Sequence, residues 1–487
     1  MNAGPNTELP KKPPEDNTGS GDRIPVQSLD DFAPVDLYQK REKIFTRHIT
    51  GYFQRLRLYT GWPLLLGYFL LPWFNWGERQ AVLFDLPARQ FYIFELTFWP
   101  QDFWLLAWLL IISAFALFTV TSLVGRLWCG YTCPQTVWTA IFMWIEQFSE
   151  GPRHQRIRLE QAPMSLEKAR KRGLKYLMWF GVALATGVTF VGYFTPVREL
   201  VIDLPTLSLH PWALFWVAFF TAATYINAGW LREQVCIYMC PYARFQSAMF
   251  DQDTLIVSYD PNRGEPRGPR KRGADATELG LGDCIDCELC VQVCPTGIDI
   301  RDGLQIECIG CAHCIDACNE VMDKMDYPRG LIRYTTEHAL TNQPSRILRP
   351  KVIGYGLAMA IMIGLFTYTL IHRELLSIDV IRERGDLYHI TADNRIRNDY
   401  ALQLINKTQQ PTTVILNINV PDGTPLELSG QTELTIAGGE VLNVPVSLSI
   451  PADVLPGSLV DVTFEICDRD TPDLCAQQTN RFFGPSS

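Results

Sequence analysis

Five long apolar runs constrain the fold of this chain more than any other feature. They cover residues 58–76, 103–124, 174–194, 212–228 and 352–371. Each is close to the ~20 residues that a helix needs to cross the ~30 Å hydrocarbon layer of a bilayer. Because backbone polar groups find no water in lipid, segments of this kind must fold as helices. The sequence therefore predicts a membrane protein with five transmembrane α-helices.

Lysine and arginine residues are unevenly distributed between the predicted loops. Six lie in residues 36–57 and eight in the loop 125–173, but only two lie in the loop 77–102 and one in the loop 195–211. By the positive-inside rule, the N-terminus and the segment 253–350 face the cytoplasm, and residues 372–487 lie outside. Residues 1–35 are polar and rich in Pro, Gly and Asn, so we expect a disordered tail. No basic domain accompanies the net charge of −9, so no nucleic-acid partner is expected.

A block of eight cysteines carries the most specific signal in the chain. The run Cys284-x2-Cys287-x2-Cys290-x3-Cys294 is followed by proline, as in bacterial ferredoxins, and its spacing recurs from Cys308 to Cys318. In two-cluster ferredoxins, the fourth cysteine of each run ligates the cluster of the other run. The block therefore predicts two [4Fe–4S] clusters, one held by Cys284, Cys287, Cys290 and Cys318, and the other by Cys308, Cys311, Cys314 and Cys294.

The rest of residues 253–350 is expected to form linkers and a ferredoxin-like α+β insert. Residues 296–307 are expected to make a turn and strands between the two runs. Asn319 stands where a second proline would follow, which loosens the turn prediction but removes no ligand. Zinc is the alternative metal, but zinc sites combine two CxxC pairs across a longer spacer. The spacing thus favours iron–sulfur chemistry and one-electron transfer.

Two further cysteine pairs share a CxxxCP motif. Cys129 and Cys133 follow the second apolar run, and Cys236 and Cys240 follow the fourth, about 107 residues later. We interpret this as a repeat of two transmembrane hairpins, related by an axis along the membrane normal, whose cysteine pairs face each other at the cytoplasmic surface. The i, i+4 spacing predicts both thiols of a pair on one helix face, and the proline can open a new helix. Thiolates suit Cu(I), zinc or an iron–sulfur cluster, and they can also cycle between dithiol and disulfide.

Other polar residues give weaker signals. Glu146 and Glu150 follow the first CxxxCP motif and are expected at a solvated helix end. His313 lies between two predicted cluster ligands and is expected beside the cluster rather than on it. The sequence has no CxxCH motif for covalent haem and no GxGxxG motif after a strand for a dinucleotide.

The residue pattern of the chain changes after the fifth apolar run. Short segments rich in β-branched residues (400–406, 413–420, 433–436, 441–450 and 460–466) alternate with turn clusters. This pattern predicts an immunoglobulin-like β-sandwich over residues 372–487. Cys467 and Cys475 lie in it, where an oxidising compartment would let them form a disulfide. A copper site on this pair is the alternative, and the domain is expected to bind a partner or close a homodimer.

These features together resemble the cytochrome c oxidase accessory protein family, called CcoG, FixG or RdxA. The resemblance rests on the order of two CxxxCP hairpins, a two-cluster ferredoxin insert, a fifth span and an external β domain, and covers nearly the whole chain after about residue 36. It implies a bacterial inner-membrane protein that reduces Cu(II) to Cu(I) on the cytoplasmic side during biogenesis of cbb-type oxidase. Copper would then meet Cys129, Cys133, Cys236 and Cys240.

Three functions stay open at this point. The first is a cupric reductase that works with an unidentified electron donor and with copper transporters or oxidase-assembly proteins. The second is a quinol-linked electron-transfer module with a quinone site between the two hairpins. The third is a non-catalytic assembly scaffold whose clusters are structural. Copper content, cluster reduction by a quinol, and oxidase assembly without the ferredoxin cysteines would discriminate between them.

Overall fold

The computed structural model describes residues 43–485, apart from residues 78, 274, 275, 277, 384–386, 409, 421, 422 and 456. The tail predicted over residues 1–35 lies outside the described residues. The α-helices are α1 (Tyr52–Leu70), α2 (Phe103–Val124), α3 (Leu127–Tyr131), α4 (Pro134–Glu150), α5 (Arg153–Gln161), α6 (Leu166–Val191), α7 (Val197–Asp203), α8 (Pro211–Thr224), α9 (Pro241–Met249), α10 (Pro261–Gly264), α11 (Leu289–Gln292), α12 (His313–Met325), α13 (Glu337–Leu340) and α14 (Pro350–Ile371). Two π-helical segments, Tyr225–Leu231 and Val235–Met239, lie between α8 and α9, and 3₁₀ turns cover Leu71–Trp73, Pro100–Asp102 and Ile300–Asp302.

Among the described residues, four helices are long and apolar enough to cross a membrane. They cover Pro100–Val124, Leu166–Val191, Pro211–Leu231 and Pro350–Ile371, and correspond to the second to fifth predicted runs. The chain is therefore a membrane protein. Pairs α6 with α8 and α2 with α14 pack side by side.

The first predicted span differs from the other four. Helix α1 begins at Tyr52, six residues before the apolar run, and ends at Leu70, where a 3₁₀ turn containing Pro72 follows. Because Arg55, Arg57 and several polar aromatic residues dilute its apolar residues, α1 does not join the four spans found in the described chain. A fifth crossing stays a prediction.

Small β-sheets follow α1. Strand β1 (Asn75–Trp76) pairs with β2 (Arg79–Gln80), and β3 (Val82–Asp85), β4 (Gln90–Ile93) and β5 (Leu96–Phe98) form an antiparallel sheet. The sequence predicts a loop over residues 77–102, so these short sheets differ from the prediction.

The cysteine-rich domain is built around one antiparallel strand pair. Strand β6 (Ile256–Tyr259) pairs with β7 (Ile332–Thr335), so the two ends of the insert meet beside each other. The core combines residues of both strands with apolar residues of α12, including Ile315 and Met322. The strands predicted within residues 296–307 were wrong: that segment contains a 3₁₀ turn, Ile300–Asp302, capped by the Asp299 carboxylate.

The C-terminal domain is an antiparallel β-sandwich. One sheet has the order β12-β14-β10-β8, with β9 paired to β10, and the other has the order β13-β11-β15-β16. The strands are β8 (Leu376–Arg382), β9 (His389–Ile390), β10 (Arg395–Asn406), β11 (Thr412–Asn419), β12 (Glu427–Ser429), β13 (Glu433–Ile436), β14 (Val441–Pro451), β15 (Leu459–Asp468) and β16 (Cys475–Phe483). Alternate residues of the long strands point inward and form the core, as an aligned sandwich requires.

A disulfide joins the two cysteines of this domain. Cys467 of β15 and Cys475 of β16 are directly opposite each other in the ladder and are bonded. Because both sulfur atoms are used in this bond, the alternative of a copper site on the pair is not supported.

A buried ion cluster ties the sandwich to the start of α2. The Asp102 carboxylate is 3.3 Å from the Lys407 ammonium and also pairs with the Arg373 guanidinium, and all three side chains are buried. The sandwich is therefore held against the membrane helices by a contact that needs its charges matched.

Candidate functional site

The eight ferredoxin-type cysteines line two adjoining cavities in sets of four. One cavity is lined by Cys284, Cys287, Cys290 and Cys318. The other is lined by Cys294, Cys308, Cys311 and Cys314, with Cys290 also reaching it. The crossed grouping, in which the fourth cysteine of each run joins the other run's set, is thus present in the fold. Eight sulfur donors in two sets of four fit two [4Fe–4S] clusters.

Matched left-handed residues curl both loops around the cavities. Glu288 and Ala312 each follow the second cysteine of a run, have φ of 54° and 61°, and cap the short helices α11 and α12. Asp286 and Gly310 each precede that cysteine, with φ of 53° and 67°. The repeat in the sequence is therefore also a repeat in backbone conformation. This conformation turns three cysteines of each run toward one point.

Apart from Cys287, which is exposed, the cysteines in these cavities are buried or partly buried. Burial raises the pKa of Cys290 and of Cys318 to about 12, and it does the same for Cys308. Buried thiols of this kind are neutral at pH 7 and lose their protons when metal binds. Asn319, which replaces the second proline, accepts a hydrogen bond from the Gly330 amide at 3.0 Å and closes the turn by another route.

The CxxxCP pairs do not have the geometry that the spacing predicted. Cys129 lies in α3, but Cys133 lies outside it as the N-cap of α4. Cys236 lies in a π-helical segment, and Cys240 is the N-cap of α9. The prediction that each pair shares one helix face was wrong, because the proline after the second cysteine opens a new helix in a new direction. The prediction of a new helix was correct.

The four CxxxCP thiols, from both halves of the repeat, are nevertheless near enough to interact electrostatically, although in the described chain no three of their sulfur atoms lie within 4.8 Å of one another. Burial, together with the neighbouring Cys133 and Cys240, raises the pKa of Cys129 to about 11. Burial and the three other CxxxCP thiols raise the pKa of Cys236 to about 12. The Cys129 thiol also lies 3.4 Å from the Oε1 atom of Gln246, which is fully buried. Sequence reasoning missed Gln246, which sits on α9 after the second motif.

The first CxxxCP motif lies directly against the second cysteine set. A Cβ atom on Gly130 would be 2.8 Å from the Gly310 carbonyl oxygen, so only a glycine allows the two backbones to approach this closely. The Arg126 guanidinium donates to the Cys308 carbonyl and to the Ala243 carbonyl, both at 3.0 Å. It therefore joins a cluster loop to the helix that follows the second CxxxCP motif.

Two tyrosines extend this junction. The Tyr334 hydroxyl donates to the Gly310 carbonyl at 2.7 Å, and it lies 3.2 Å from the Tyr131 hydroxyl. Sequence reasoning missed Arg126, Gly130 and Tyr334. A glycine inside a five-residue helix between two cysteines was a usable signal for Gly130, because glycine is disfavoured there unless another backbone comes close.

The two glutamates after the first motif are buried, not solvated as expected. Glu146 pairs with Arg232 at 2.7 Å and Arg156 at 3.2 Å, and Glu150 pairs with Lys175 at 2.6 Å. Their partners come from α5, α6 and the segment before the second CxxxCP motif. The cluster thus fixes the two halves of the repeat relative to each other.

Profile comparisons divide the chain in the same way as the fold. Residues 231–337 match a 4Fe-4S dicluster domain, residues 106–151 match a 4Fe-4S binding domain, and residues 366–485 match the IG-like fold at the C-terminal of FixG. The nitrogen fixation protein FixG of Rhizobium meliloti is 40% identical over 433 residues, covering 81% of this chain and 82% of that protein. The chain belongs to the FixG/RdxA family.

Other FixG/RdxA relatives cover even more of the chain. Protein RdxB of Cereibacter sphaeroides is 41% identical over 433 residues, covering 85% of this chain and 90% of RdxB. Protein RdxA of the same organism is 38% identical over 455 residues, covering 90% and 96%. The crystal structure of a FixG-related protein from Vibrio parahaemolyticus is 28% identical and covers 22% of this chain and 95% of that one, with a TM-score of 0.21. The chain is thus a FixG/RdxA-type membrane iron–sulfur protein of the electron-transfer class.

Proposed function

We propose that this FixG/RdxA protein is a cupric reductase that serves assembly of cbb-type cytochrome c oxidase. Cu(II) would be the substrate, and Cys129, Cys133, Cys236 and Cys240 would bind it and release it as Cu(I). The observation that carries the proposal is the direct contact between Gly130, inside the first CxxxCP motif, and Gly310, inside the second ferredoxin run. This contact supports the proposal because it brings the first CxxxCP motif beside the second ferredoxin run.

The donor set suits the reduced product. Thiolates bind Cu(I) in preference to harder divalent ions, so such a site lowers the free energy of Cu(I) relative to Cu(II). Binding would displace protons from thiols that burial keeps neutral. The Gln246 side chain adds a neutral polar neighbour to Cys129.

Two resident clusters would complete the centre. We assign one [4Fe–4S] cluster to Cys284, Cys287, Cys290 and Cys318, and the other to Cys294, Cys308, Cys311 and Cys314. When bound, such clusters supply one-electron redox chemistry. The chain's own contribution is the pair of cavities, the left-handed turns that aim the thiols, and Arg126, which fixes the Cys308 loop against α9.

The test is Cu(II) reduction by purified protein that has been reduced with dithionite. The double variant Cys129→Ser/Cys236→Ser should lose at least tenfold in rate and should lose its copper, while its iron content stays unchanged. Met239→Leu is a matched control, because Met239 lies inside the second motif but is exposed. An unchanged rate and copper content in the double variant would refute the role of these thiols.

A third [4Fe–4S] cluster, held by the four CxxxCP thiols, is the second candidate for this site. The 4Fe-4S binding domain matched over residues 106–151 contains two cysteines, Cys129 and Cys133, which are too few for a cluster on their own. In the described chain, the only three donor atoms of His, Cys, Asp or Glu that lie within 4.8 Å of one another are those of Glu465, Cys467 and Cys475. The four CxxxCP sulfurs are thus spread more widely than that compact set, as are the two ferredoxin sets. A third [4Fe–4S] cluster would raise the iron content from about eight to about twelve atoms per chain.

The proposal also includes a cellular location, a membrane orientation and candidate partners. We place the chain in a bacterial inner membrane, with the N-terminus and both cysteine sites cytoplasmic and the β-sandwich periplasmic, where an oxidising compartment accommodates its disulfide. Copper transporters, oxidase-assembly proteins and a second copy of the chain are candidate partners of the sandwich. Labelling of engineered single cysteines with a membrane-impermeant reagent tests the orientation. Assembly of the oxidase without the eight ferredoxin cysteines would favour the scaffold alternative.

A further inference from the structure

One large cavity lies outside both cysteine sites. It measures about 660 Å³ and is bounded by α1, α4 and α6, with the ferredoxin loops at one end. Its volume falls in the range of cavities that bind small molecules and cofactors, about 300–1,000 Å³.

The cavity is elongated along α1. Its lining on this helix runs from Gln54 and Arg57 to Leu66 and Phe69 at helical spacing. Fifteen residues of rise at 1.5 Å each give a length of roughly 22 Å. A cavity of this length accommodates a head group and an extended tail.

The two ends of the cavity differ in polarity. At one end the His313 Nε2 atom lies 2.6 Å from the Gln54 Oε1 atom and 2.5 Å from the Arg57 guanidinium. At the other end the walls are apolar, and Leu66 and Trp62 are also half exposed at the outer surface. A ligand with a polar head and an apolar tail fits this gradient, and it can enter from the lipid.

The polar end meets the second cysteine set. His313 stands between Cys311 and Cys314, and the lining also includes Val293 and Pro295, on either side of Cys294. Two of the four cysteines of that set, Cys294 and Cys314, therefore have an adjacent residue in the wall of the cavity, and Cys311 lies two residues from His313. A redox-active head at this end would be in position to exchange electrons with that set.

From this geometry we infer that the cavity binds a lipid-soluble hydroquinone, which is the electron donor of the protein. The inference rests on the proposed cupric reductase function and supplies its donor. The cavity lies between α1 of the first predicted hairpin and α6 of the second, which is where the sequence analysis placed a quinone site, and none of its described lining residues comes from α2 or α8.

The reaction balances with two copper ions. The hydroquinone loses two O–H protons and two electrons and becomes a quinone, and two Cu(II) ions each gain one electron and become Cu(I). The clusters that the two cysteine sets would hold would supply the one-electron chemistry. The two protons pass to water at the rim of the cavity, where Arg47 and His48 are exposed. The Gln54, Arg57 and His313 side chains hold the oxygen atoms of the head.

Two glycines of α1 provide a matched pair of variants. A Cβ atom on Gly61 would meet only Val137, at 3.8 Å, so the position has room for a side chain. Because Gly61 lines the cavity, the larger side chain of Gly61→Leu projects into it. Gly67 lies on the same helix, is exposed, and has nothing within 4 Å of its Cβ position. Gly67→Leu therefore changes helix propensity equally but leaves the cavity open.

The first experiment measures binding without turnover. The full chain, purified in detergent, is irradiated with a naphthoquinone that carries a photoreactive azide on a short alkyl tail, and the labelled peptides are identified by mass spectrometry. We expect labelling in residues 52–70 and 134–150 that unlabelled quinone suppresses and that falls at least tenfold in Gly61→Leu but not in Gly67→Leu. Labelling that phospholipid suppresses and quinone does not would overturn the inference in favour of a bound lipid.

The second experiment separates this inference from the proposed function. Each preparation reduces Cu(II) with dithionite or with a short-tailed naphthohydroquinone as donor, and the ratio of the two rates is compared. The ratio for Gly61→Leu should fall at least tenfold, and the ratio for Gly67→Leu should stay unchanged. If wild-type protein accepts electrons from dithionite but not from the hydroquinone, the donor inference fails and cupric reduction stands. If neither donor drives copper reduction, the proposed function fails, and the labelling pattern decides the cavity alone.

Discussion

The buried ammonium of Lys175 offers the sharpest test of the ion cluster that joins the repeat halves. Its Nζ atom lies 2.6 Å from Glu150 and 4.0 Å from Glu146, and all three side chains are almost fully buried. At an effective dielectric constant of about 20, the closer pair attracts by about 6 kcal/mol. Desolvation of the ammonium offsets part of this, so we expect Lys175→Met to destabilise the protein by about 3–5 kcal/mol, because a buried carboxylate loses its counter-ion.

The control lies one turn earlier on the same helix. Lys171 forms an i, i+4 pair with Glu167 at 2.7 Å, but the pair faces solvent. Lys171→Met should therefore destabilise the protein far less than Lys175→Met. Denaturant titrations of the purified full chain, followed by tryptophan fluorescence, measure both values.

A second variant distinguishes the loss of the counter-ion from a change in side-chain packing. Lys175→Met combined with Glu150→Gln removes both charges, so most of the lost stability should return. A stabilising role of the buried charge pair is refuted if Lys175→Met costs no more than Lys171→Met, or if the double variant is less stable than Lys175→Met alone.

Three further predictions concern the junctions of the fold. Gly130→Ala should lower dithionite-driven copper reduction at least fivefold with full iron content, because its Cβ would meet a backbone oxygen at 2.8 Å; equal rates in Gly130→Ala and the exposed control Gly67→Ala would contradict this. Asp102→Asn should destabilise the chain by about 3–5 kcal/mol, because the Arg373 guanidinium stays buried without its anion, and proteolysis of the sandwich reports it; wild-type resistance would argue against a structural role. Cys475→Ser should cost about 2–4 kcal/mol in unfolding titrations, and the wild type under reducing agent should lose the same amount.

The predictable parts of the site are those that local spacing determines. Eight cysteines at fixed intervals form two crossed sets of four because a run of three close thiols, with left-handed residues between them, can curl around only one point. The cysteine spacing alone therefore predicts the two sets, without information on the rest of the fold. The alternation of β-branched residues likewise located β11, β13 and β14 to within a residue or two, because each strand carries its own inward face.

The errors arise where the outcome depends on distant residues. The sequence around Glu146 predicts a solvated carboxylate. In the fold, Arg232, 86 residues later in the chain, forms an ion pair with it. The spacing of each CxxxC pair predicts one shared helix face, but the proline that follows starts a new helix in another direction. The junction of Gly130 with Gly310 joins segments 180 residues apart, and nothing in either segment alone specifies the other.

The second cysteine set is the point where the donor and acceptor arguments meet. Cys294 and Cys314 border the polar end of the large cavity through their adjacent residues Val293, Pro295 and His313. The Cys308–Cys311 loop of the same set contacts the first CxxxCP motif through Gly130 and Arg126. The first set is lined instead by Tyr259, Arg301 and the far side of α12, and neither contact reaches it. The proposed hydroquinone cavity and the proposed copper site therefore lie on two sides of one four-cysteine set, and the proposed electron transfer needs no large motion of the fold.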